Sequence, residues 1–251
     1  MGKKVLVIAS NYGLWAEELQ APWDALKKAG HSLTLATYKG VAPLPMTVSM
    51  DVNMIDPKQN YNVNPPEVVN RVNKLLSDGD WNNPIRTAEA KMSDHDILVI
   101  VGGPGTPLDI TGNPFVHGLV LDAFKSGKLI GAICYAVGAL VFTRDPDNGN
   151  KSVISGKTVT AHPHEWDFDF DFAYGLVNAS KSNPGTDVVT PGFVYPLQYI
   201  TEDAVGPYGK VISDATANRE KPCVAYDMPF VTALSVESSI AFGQKLVELI
   251  A

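Results

Sequence analysis

The first forty residues constrain the fold most strongly, because a strand pattern, a helix pattern and a second strand pattern follow one another directly. Residues 5–9 are a continuous apolar run, typical of a strand buried on both faces of a parallel sheet. Apolar residues then recur at helical spacing over 17–29, and Gly30 follows as a stop signal. Residues 31–37 alternate and predict a second strand. A β-α-β unit of this kind implies a right-handed crossover and an α/β sheet.

The strand and helix patterns resume after residue 92 and continue to the end of the sequence. Apolar runs predict strands at 97–101, 128–133, 157–161 and 210–213, and helical periodicity predicts helices at 115–126, 135–142 and 235–250. The sequence shows no internal repeat and no linker between two cores. It therefore predicts one α/β domain over residues 1–251.

Two long segments depart from this pattern. Residues 40–92 contain several prolines and asparagines, with one predicted helix at 66–78. A second segment, 165–209, begins with aromatic residues over 166–174 and continues as a polar stretch broken by proline and glycine. Irregular segments of this length are typically lids or caps. We predict cap-like insertions at about 40–92 and at about 165–209.

The charge balance and the cysteine count narrow the partners and the compartment. The 251 residues include 20 basic and 27 acidic side chains, for a net charge of −7, and no basic cluster stands out. Nucleic acid is therefore not an expected partner. Two cysteines cannot form a disulfide framework, which favours a reducing, cytoplasmic setting. The sequence has neither a signal-peptide pattern nor an apolar stretch long enough for a bilayer, so no membrane association is expected.

A cysteine stands at the sharpest local feature of the sequence, residues 131–138 (Gly-Ala-Ile-Cys-Tyr-Ala-Val-Gly). The predicted strand ends, Cys134 follows, and a helix of small residues begins at once, which is the design of a nucleophile elbow. A helix start favours the thiolate, so we predict a lowered pKa for Cys134. The alternative interpretation is a buried structural cysteine, and we interpret Cys223 in that way.

Two other features accompany the cysteine. Residues 102–105 (Gly-Gly-Pro-Gly) follow a predicted strand, and glycines there allow backbone N–H groups to face a developing oxyanion. The spacing does not match a dinucleotide fingerprint. Glu17 and Glu18 lie in the first turn of the first predicted helix. They either stabilise the helix start, or one of them points toward Cys134.

The sequence His162-Pro163-His164-Glu165 follows another predicted strand and allows two interpretations. Two histidines two apart suggest a metal site, but no CxxC, HExxH or carboxylate ladder accompanies them. A histidine at a strand end near a cysteine is better interpreted as a base or an orienting partner. We therefore predict no metal and no cofactor.

The sequences at 3–37 (KKVLVIAS…EELQAPWDALKKAGHSLTLAT), 99–106 (VIVGGPGT) and 132–140 (AICYAVGAL) together resemble the ThiJ/PfpI family of the class I glutamine-amidotransferase-like superfamily. The resemblance implies a three-layer α/β sandwich with a mostly parallel, flavodoxin-like sheet and cap insertions. The length and the insertions are most similar to the larger heat-shock chaperone/glyoxalase III-like branch. Family members commonly form dimers and act on small molecules, so the resemblance implies a homodimer and a small-molecule substrate.

The resemblance also implies roles for single residues. In the family a glutamate four residues before a proline in the first helix hydrogen-bonds the elbow cysteine. Because Pro22 is present, that glutamate is Glu18 rather than Glu17. The elbow nucleophile would be Cys134, and the oxyanion donors would be the backbone N–H groups of Gly103 and Tyr135.

One departure from the family pattern concerns the base. Glyoxalase III and protease-like members have a histidine directly after the cysteine, where this sequence has Tyr135. A tyrosine with an ordinary pKa of about 10 is a poor base near pH 7. His162, at the position of the family's His-Pro pair, or His164 would take its place, oriented by Glu165 or Asp167.

Two function classes follow from these residues. The first is a cysteine-dependent enzyme, a lyase or hydrolase of glyoxalase III-like, amidase-like or hydratase-like type, acting on a small carbonyl or amide-like substrate. In that hypothesis Glu18 shuttles a proton and Trp166 helps to shape and dry the pocket. The second is a non-enzymatic stress-response protein, a redox sensor or holdase chaperone, which requires an easily oxidised Cys134 or an exposed apolar patch. An inactivated family member that only binds ligand is a third alternative.

Overall fold

The structure is a computed structural model that describes residues 2–56, 60–167, 175–177, 187–189 and 192–250. For residues 175–177 and 187–189 it describes the backbone. Most of the aromatic run predicted at the start of the second insertion, residues 168–174, lies outside the described residues. Trp166 lies inside them.

The predicted strands and helices form in the predicted order, with further short elements between them. The strands are β1 (Lys4–Ile8), β2 (Ser32–Thr37), β3 (Ile85–Arg86), β4 (Ile97–Ile100), β5 (Leu129–Ile133), β6 (Arg144–Asp145), β7 (Lys151–Ser152), β8 (Thr158–Thr160), β9 (Gly175–Val177), β10 (Asp187–Val189), β11 (Lys210–Ile212), β12 (Val224–Asp227) and β13 (Phe230–Ala233). The helices are α1 (Ala16–Lys28), α2 (Pro66–Asp78), α3 (Thr106–Asp109), α4 (Pro114–Lys125), α5 (Val137–Phe142), α6 (His164–Asp167), α7 (Leu197–Val205) and α8 (Ser239–Ile250).

Seven of these strands form the central sheet, in the order β12-β13-β5-β4-β1-β2-β3. Neighbours run parallel, except that β12 pairs antiparallel with β13. The residues of β1, β4 and β5 are almost all buried, as expected for strands covered on both faces.

Helices cover both faces of the sheet. On one face α8 lies so close to β5 that a Cβ on Gly131 would come within 2.9 Å of the Phe242 ring. Helix α1 packs against α8 at Gly243, where a Cβ would lie 3.0 Å from the Cα of Pro22. On the other face α4 packs on β4 and β5. The predicted three-layer sandwich with a mostly parallel sheet is confirmed.

The carboxyl end of the chain differs most from the prediction. The strand predicted at 157–161 forms as β8, but it pairs with β11 in a separate ribbon. The central strand beside β5 is instead β13, which the sequence analysis did not predict, and β12 and α7 were also missed. A short apolar run such as residues 230–233 is compatible with a strand or with a buried helix segment, and periodicity alone does not distinguish the two.

The segment predicted as the first insertion is not confined to one place. Its α2 packs on α1, its β3 extends the edge of the central sheet, and residues of 54–56 and 60–63 lie over the carboxyl ends of the strands. Within the described parts of the chain, no helix has both the length and the apolar character needed to cross a bilayer.

Candidate functional site

The carboxyl ends of three neighbouring parallel strands meet at the site. Gly102 follows β4, Cys134 follows β5, and Ser235 follows β13. A fourth group, His162, follows β8, and β8 is joined to the sheet by the Thr160 N–H, which donates to Thr232 Oγ1 at 2.7 Å. Ligands of open α/β sheets bind at this edge.

Cys134 occupies a strained elbow. It has a positive φ of 58°, which is uncommon for a residue other than glycine, and a short 3₁₀ turn at Cys134–Ala136 leads from it into α5. The residue is only 4% exposed. The tight strand-to-helix turn that the sequence predicts is therefore present, and it holds the sulfur in a fixed, buried position.

Glu18 lies against the cysteine, and Gly102 makes the close approach possible. A Cβ on Gly102 would lie 2.6 Å from Glu18 Oε2 and 2.7 Å from the Cβ of Cys134. Because Gly102 has no side chain, the carboxyl from α1 and the sulfur from the elbow share one small space. The structure places Glu18, rather than Glu17, beside the sulfur.

The Glu18 carboxyl is held in its neutral form near pH 7. The side chain is 1% exposed, and burial raises its pKa to about 8, although the Cys134 thiol and the Gly102 N–H act in the opposite direction. Neither carboxyl oxygen has a well-formed hydrogen bond among the described residues. A protonated carboxyl beside a sulfur is able to donate a proton, and above its pKa it is able to accept one.

The predicted lowering of the Cys134 pKa is wrong. Burial raises the pKa of the thiol well above its ordinary value, and the charge of ionised Glu18 raises it further. Three contacts oppose this shift: the Ser235 hydroxyl donates to the sulfur at 3.6 Å, and the N–H groups of Gly103 and Tyr135 also face it. Desolvation therefore outweighs the electrostatic effect of the helix start that the sequence analysis relied on.

The two backbone N–H groups predicted as oxyanion donors thus lie at the sulfur. Gly103 has a φ of 112°, and a Cβ there would lie 2.3 Å from the carbonyl oxygen of Gly13 and 2.5 Å from the backbone nitrogen of Trp15. Only glycine fits this conformation and this contact. When a carbonyl carbon bonds to the sulfur, its oxygen develops negative charge. The two N–H groups lie where they are able to donate to that oxygen.

Tyr135 and His162 meet at one carboxylate. The Tyr135 hydroxyl donates to Asp167 Oδ1 at 2.5 Å, and His162 Nδ1 lies 2.7 Å from the same oxygen. The Tyr135 and His162 rings are 4.7 Å apart. Burial and the neighbouring Asp167 raise the pKa of Tyr135 well above its ordinary value, so it remains a neutral donor.

The structure separates the other predicted residues into two groups. Trp166 lines the same cavity as Cys134 and meets His162 edge-on, with ring centroids 5.2 Å apart. His164 instead stacks on Tyr199 and contacts Gln198, away from the cavity, and its Nδ1 lies 3.1 Å from Glu165. Within the described part of the molecule, no hydrogen bond joins a histidine to the sulfur. The role of His162 as a base stays a prediction.

The cavity over the sulfur has a volume of about 250 Å³. It is lined by Trp15, Met54, Asp56, Tyr61, Val63, Pro104, Cys134, Tyr135, His162, Trp166, Ser235, Val236 and Glu237. Four of these, Met54, Asp56, Tyr61 and Val63, belong to the first predicted insertion, so this part of it does cover the site. The size suits a small molecule of a few non-hydrogen atoms.

Sequence analysis missed two polar residues of this cavity, Ser235 and Glu237. Both follow β13 directly, and β13 was not predicted, so nothing placed them at the same sheet edge as Cys134. Recognising residues 230–233 (Phe-Val-Thr-Ala) as a buried parallel strand was the one signal that could have found them.

Glu17 serves a different purpose from its neighbour. The Arg219 guanidinium holds its carboxylate at both oxygens, with Nη1 at 2.8 Å from Oε1, and also donates to the Val63 carbonyl at 2.5 Å. Burial raises the pKa of Glu17, and Arg219 opposes the shift. In the ranges 2–56, 60–167 and 192–250, no group of three or more His, Cys, Asp or Glu side chains is arranged to hold a metal ion.

Together, the fold and the site define a class: an α/β sandwich with a buried cysteine at a nucleophile elbow and a carboxyl from the first helix beside it. The sequence profile of the DJ-1/PfpI family matches residues 3–168. The chain belongs to the DJ-1/PfpI family, which confirms the resemblance seen in the sequence. No curated protein sequence matches the chain.

Solved structures agree on the fold. The 24 kDa rapid encystment protein of Francisella tularensis has a TM-score of 0.73 at 21% identity, covering 99% of each chain. Glyoxalase III of Candida albicans has a TM-score of 0.68 at 17% identity, covering 98% of this chain and 96% of that one. DJ-1beta of Drosophila melanogaster has a TM-score of 0.57 at 21% identity, covering 100% and 91%. At these identities the likeness shows the fold alone.

Proposed function

We propose that the protein is a cysteine-dependent enzyme that acts on a small carbonyl compound through covalent addition of Cys134. The observation that carries the proposal is the contact between a buried, neutral carboxyl and the Cys134 sulfur, at a point that two backbone N–H groups also face. A structural cysteine needs none of these groups. The cavity volume of about 250 Å³ supports a small aldehyde over a peptide.

In the first step the sulfur attacks the carbonyl carbon. A C–S bond forms, the π electrons of the C=O bond move to oxygen, the thiol proton leaves the sulfur, and one proton is added to the oxygen. Glu18 is placed to exchange these protons, because its carboxyl is neutral near pH 7 and borders the sulfur. The Gly103 and Tyr135 N–H groups stabilise the oxygen while it carries negative charge. The product is a hemithioacetal.

A second proton carrier is available on the opposite wall of the cavity. His162 lines the cavity, and its Nδ1 lies 2.7 Å from Asp167 Oδ1 without the geometry of a hydrogen bond. The adjacent carboxylate favours a proton on Nδ1, so the other ring nitrogen is the one left to exchange protons with a substrate. Asp167 also accepts from Tyr135, which stands where the family's usual histidine would be. The base would thus come from β8 rather than from the elbow.

For a 2-oxoaldehyde these groups suffice for a complete reaction. The hemithioacetal loses its C1 proton and gains one at C2, while the proton of the C1 hydroxyl is lost and the C2 oxygen gains one, which converts it into a 2-hydroxy thioester. Water then cleaves the C–S bond, giving a 2-hydroxy acid and returning the thiol. Glyoxalase III of Candida albicans shares the fold, and this reaction class is the form of the proposal that we would test first.

The non-enzymatic alternative fits the cysteine less well. A redox sensor needs an accessible thiolate, whereas Cys134 is 4% exposed and burial raises its pKa. Slow oxidation of this thiol by peroxide is therefore the expected behaviour.

The test compares Cys134→Ser with Cys223→Ser, since Cys223 lies outside the cavity lining. Both variants and the unmodified protein are incubated with methylglyoxal and glyoxal, and 2-hydroxy acid formation and intact mass are followed. We expect turnover and an aldehyde adduct in the unmodified protein and in Cys223→Ser, and neither in Cys134→Ser. Absence of both turnover and adduct in all three proteins would overturn the proposal, and so would equal turnover in Cys134→Ser.

A further inference from the structure

Glu237 is a buried carboxyl of the cavity that the chemistry above does not use. It is 4% exposed and lines the same cavity as Cys134. Its Oε1 accepts two hydrogen bonds, from the Ser235 N–H at 3.2 Å and from the Ser238 hydroxyl at 2.6 Å. Its Oε2 has no hydrogen-bond partner among the described residues. A buried acceptor without a donor is destabilising, so this oxygen gains from any donor brought into the cavity.

The position of Glu237 relative to the sulfur follows from two contacts. The Ser235 hydroxyl lies 3.6 Å from the sulfur of Cys134, and the backbone N–H of the same serine lies 3.2 Å from Glu237 Oε1. One residue thus bridges the reacting atom and the carboxyl. A small molecule bonded to the sulfur therefore shares with this carboxyl a cavity of about 250 Å³.

The charges of the residues that line the cavity disfavour anionic substrates. The ionisable lining residues are Asp56, Tyr61, Cys134, Tyr135, His162 and Glu237. No lysine or arginine is among the lining residues that the structure describes. A substrate carboxylate or phosphate would therefore meet carboxyl groups in a desolvated space without a permanent cation to balance it.

We propose that Glu237 is a specificity-determining residue, which favours small uncharged aldehydes with a hydroxyl or amino donor on the carbon next to the carbonyl over aldehydes, 2-oxoaldehydes included, that offer only an acceptor there. This inference rests on the proposed function, because it assumes that Cys134 adds to the carbonyl carbon. The donor fills Oε2, while the aldehyde carbon reaches the sulfur and its oxygen reaches the two N–H groups. Sites that satisfy a substrate donor discriminate strongly against analogues that lack it.

The experiment measures hemithioacetal formation directly, without turnover. In a Cys223→Ser background, Cys134 is alkylated with iodoacetamide, and the slowing of alkylation by each aldehyde gives its affinity for the thiol. Glycolaldehyde carries the hydroxyl donor, methoxyacetaldehyde retains the oxygen but has no donor, and glyoxylate carries a charge. Each affinity is divided by that of the same aldehyde for a free thiol in solution, which removes intrinsic differences in carbonyl reactivity.

We expect a normalised affinity at least tenfold higher for glycolaldehyde than for methoxyacetaldehyde, and weaker binding still for glyoxylate. Glu237→Gln retains Oε1 for its two donors but replaces the open acceptor with an N–H₂ group, so it should bring the ratio to within threefold of one. Glu89→Gln, at an exposed acid outside the cavity lining, should leave the ratio unchanged.

Each other outcome has a distinct meaning. Equal protection by glycolaldehyde and methoxyacetaldehyde overturns the role of Glu237 and leaves the proposed function in place. A preference that survives in folded Glu237→Gln also overturns that role. Failure of every aldehyde to slow the alkylation overturns the proposed function, and the inference about Glu237 with it.

Discussion

Glu17 and Glu18 are neighbours in the chain, yet they belong to two regions of the molecule with opposite electrostatics. Each side chain is 1% exposed. In the region that we call the cap anchor, made of Glu17, Arg219 and Val63, a guanidinium holds the carboxylate at both oxygens. In the other region, Glu18 has no cationic partner in the described part of the chain and lies against Cys134.

The comparison shows that the presence or absence of a neighbouring cation decides the role of a buried acid. A carboxylate held by arginine fixes structure: the cap anchor ties helix α1 to residue 63 of the first insertion and to the chain at residue 219. A carboxyl left without a cation keeps its proton at neutral pH and becomes an acid or a base for its neighbour. One helix turn thus supplies both the attachment of the cap and the proton carrier of the site.

The largest effect that tests this contrast is on stability. Glu17→Gln leaves the guanidinium of Arg219, whose side chain is only 22% exposed, without its anion, so we expect a loss of about 3 kcal/mol in the free energy of unfolding. Urea unfolding measures it. The control is Asp24→Asn, which breaks the more exposed pair between Asp24 and Arg71 and should cost less than about 1 kcal/mol. A loss for Glu17→Gln no greater than that of the control would contradict the cap anchor.

The second prediction concerns pH and Glu18. Its pKa is about 8 in the folded protein and 4.5 as the reference value for a free side chain, so the folded state retains a proton that the unfolded state releases. This contribution to stability is full below about pH 4.5 and is lost as the pH rises toward 8. Between pH 5 and pH 8 the loss should be about 3 kcal/mol. Urea unfolding at both pH values measures this loss in the free energy of unfolding, and we expect a smaller loss in Glu18→Gln than in the unmodified protein. Equal losses in Glu18→Gln and the unmodified protein would exclude the raised pKa of Glu18.

The third prediction separates the two glutamates by activity. Glu18→Gln cannot exchange a proton with the sulfur, so turnover should fall about 100-fold, or about 2.7 kcal/mol in the barrier. Steady-state rates on the best aldehyde substrate measure this effect. Glu17→Gln, assayed at a temperature where it is folded, should remain within about threefold of the unmodified protein. Equal losses of activity in Glu17→Gln and Glu18→Gln would contradict the separate roles of the two glutamates.

The smallest predicted effect concerns Asp167, which we treat as a positioning residue. Asp167→Asn should lower kcat about tenfold, equal to about 1.4 kcal/mol, because His162 is no longer held in one orientation. The double variant with His162→Asn should be no slower than His162→Asn alone, since both changes disable one unit. Additive losses in the kcat values would show that Asp167 acts independently of His162.

The sequence predicted the amino-terminal half of the site because its elements are long and strongly patterned. Residues 5–9, 97–101 and 128–133 are unbroken apolar runs, and each is followed by a glycine-containing or cysteine-containing turn. The proximity of Glu18 to Cys134 followed from the family resemblance. Its physical cause, the missing side chain at Gly102, emerges only from the packing.

The rest of the site depends on contacts that no local pattern encodes. Strand β13 is four residues long, so Ser235 and Glu237 could not be placed. The meeting of Tyr135 and His162 at Asp167 joins segments about thirty residues apart. The direction of the Cys134 pKa shift was mispredicted because a helix start is visible in sequence, whereas the desolvation that opposes it depends on the whole fold.

The central claim is that a neutral Glu18 borders a protonated Cys134, and the pH dependence of Cys134 alkylation tests it most directly. In a Cys223→Ser background, the rate with iodoacetamide should be low at pH 6 and should rise through a step near pH 8 as Glu18 ionises and accepts the thiol proton. Glu18→Gln should remove that step. A rate that is already high at pH 6 and stays flat to pH 9, with or without Glu18, would show a free thiolate and contradict the account.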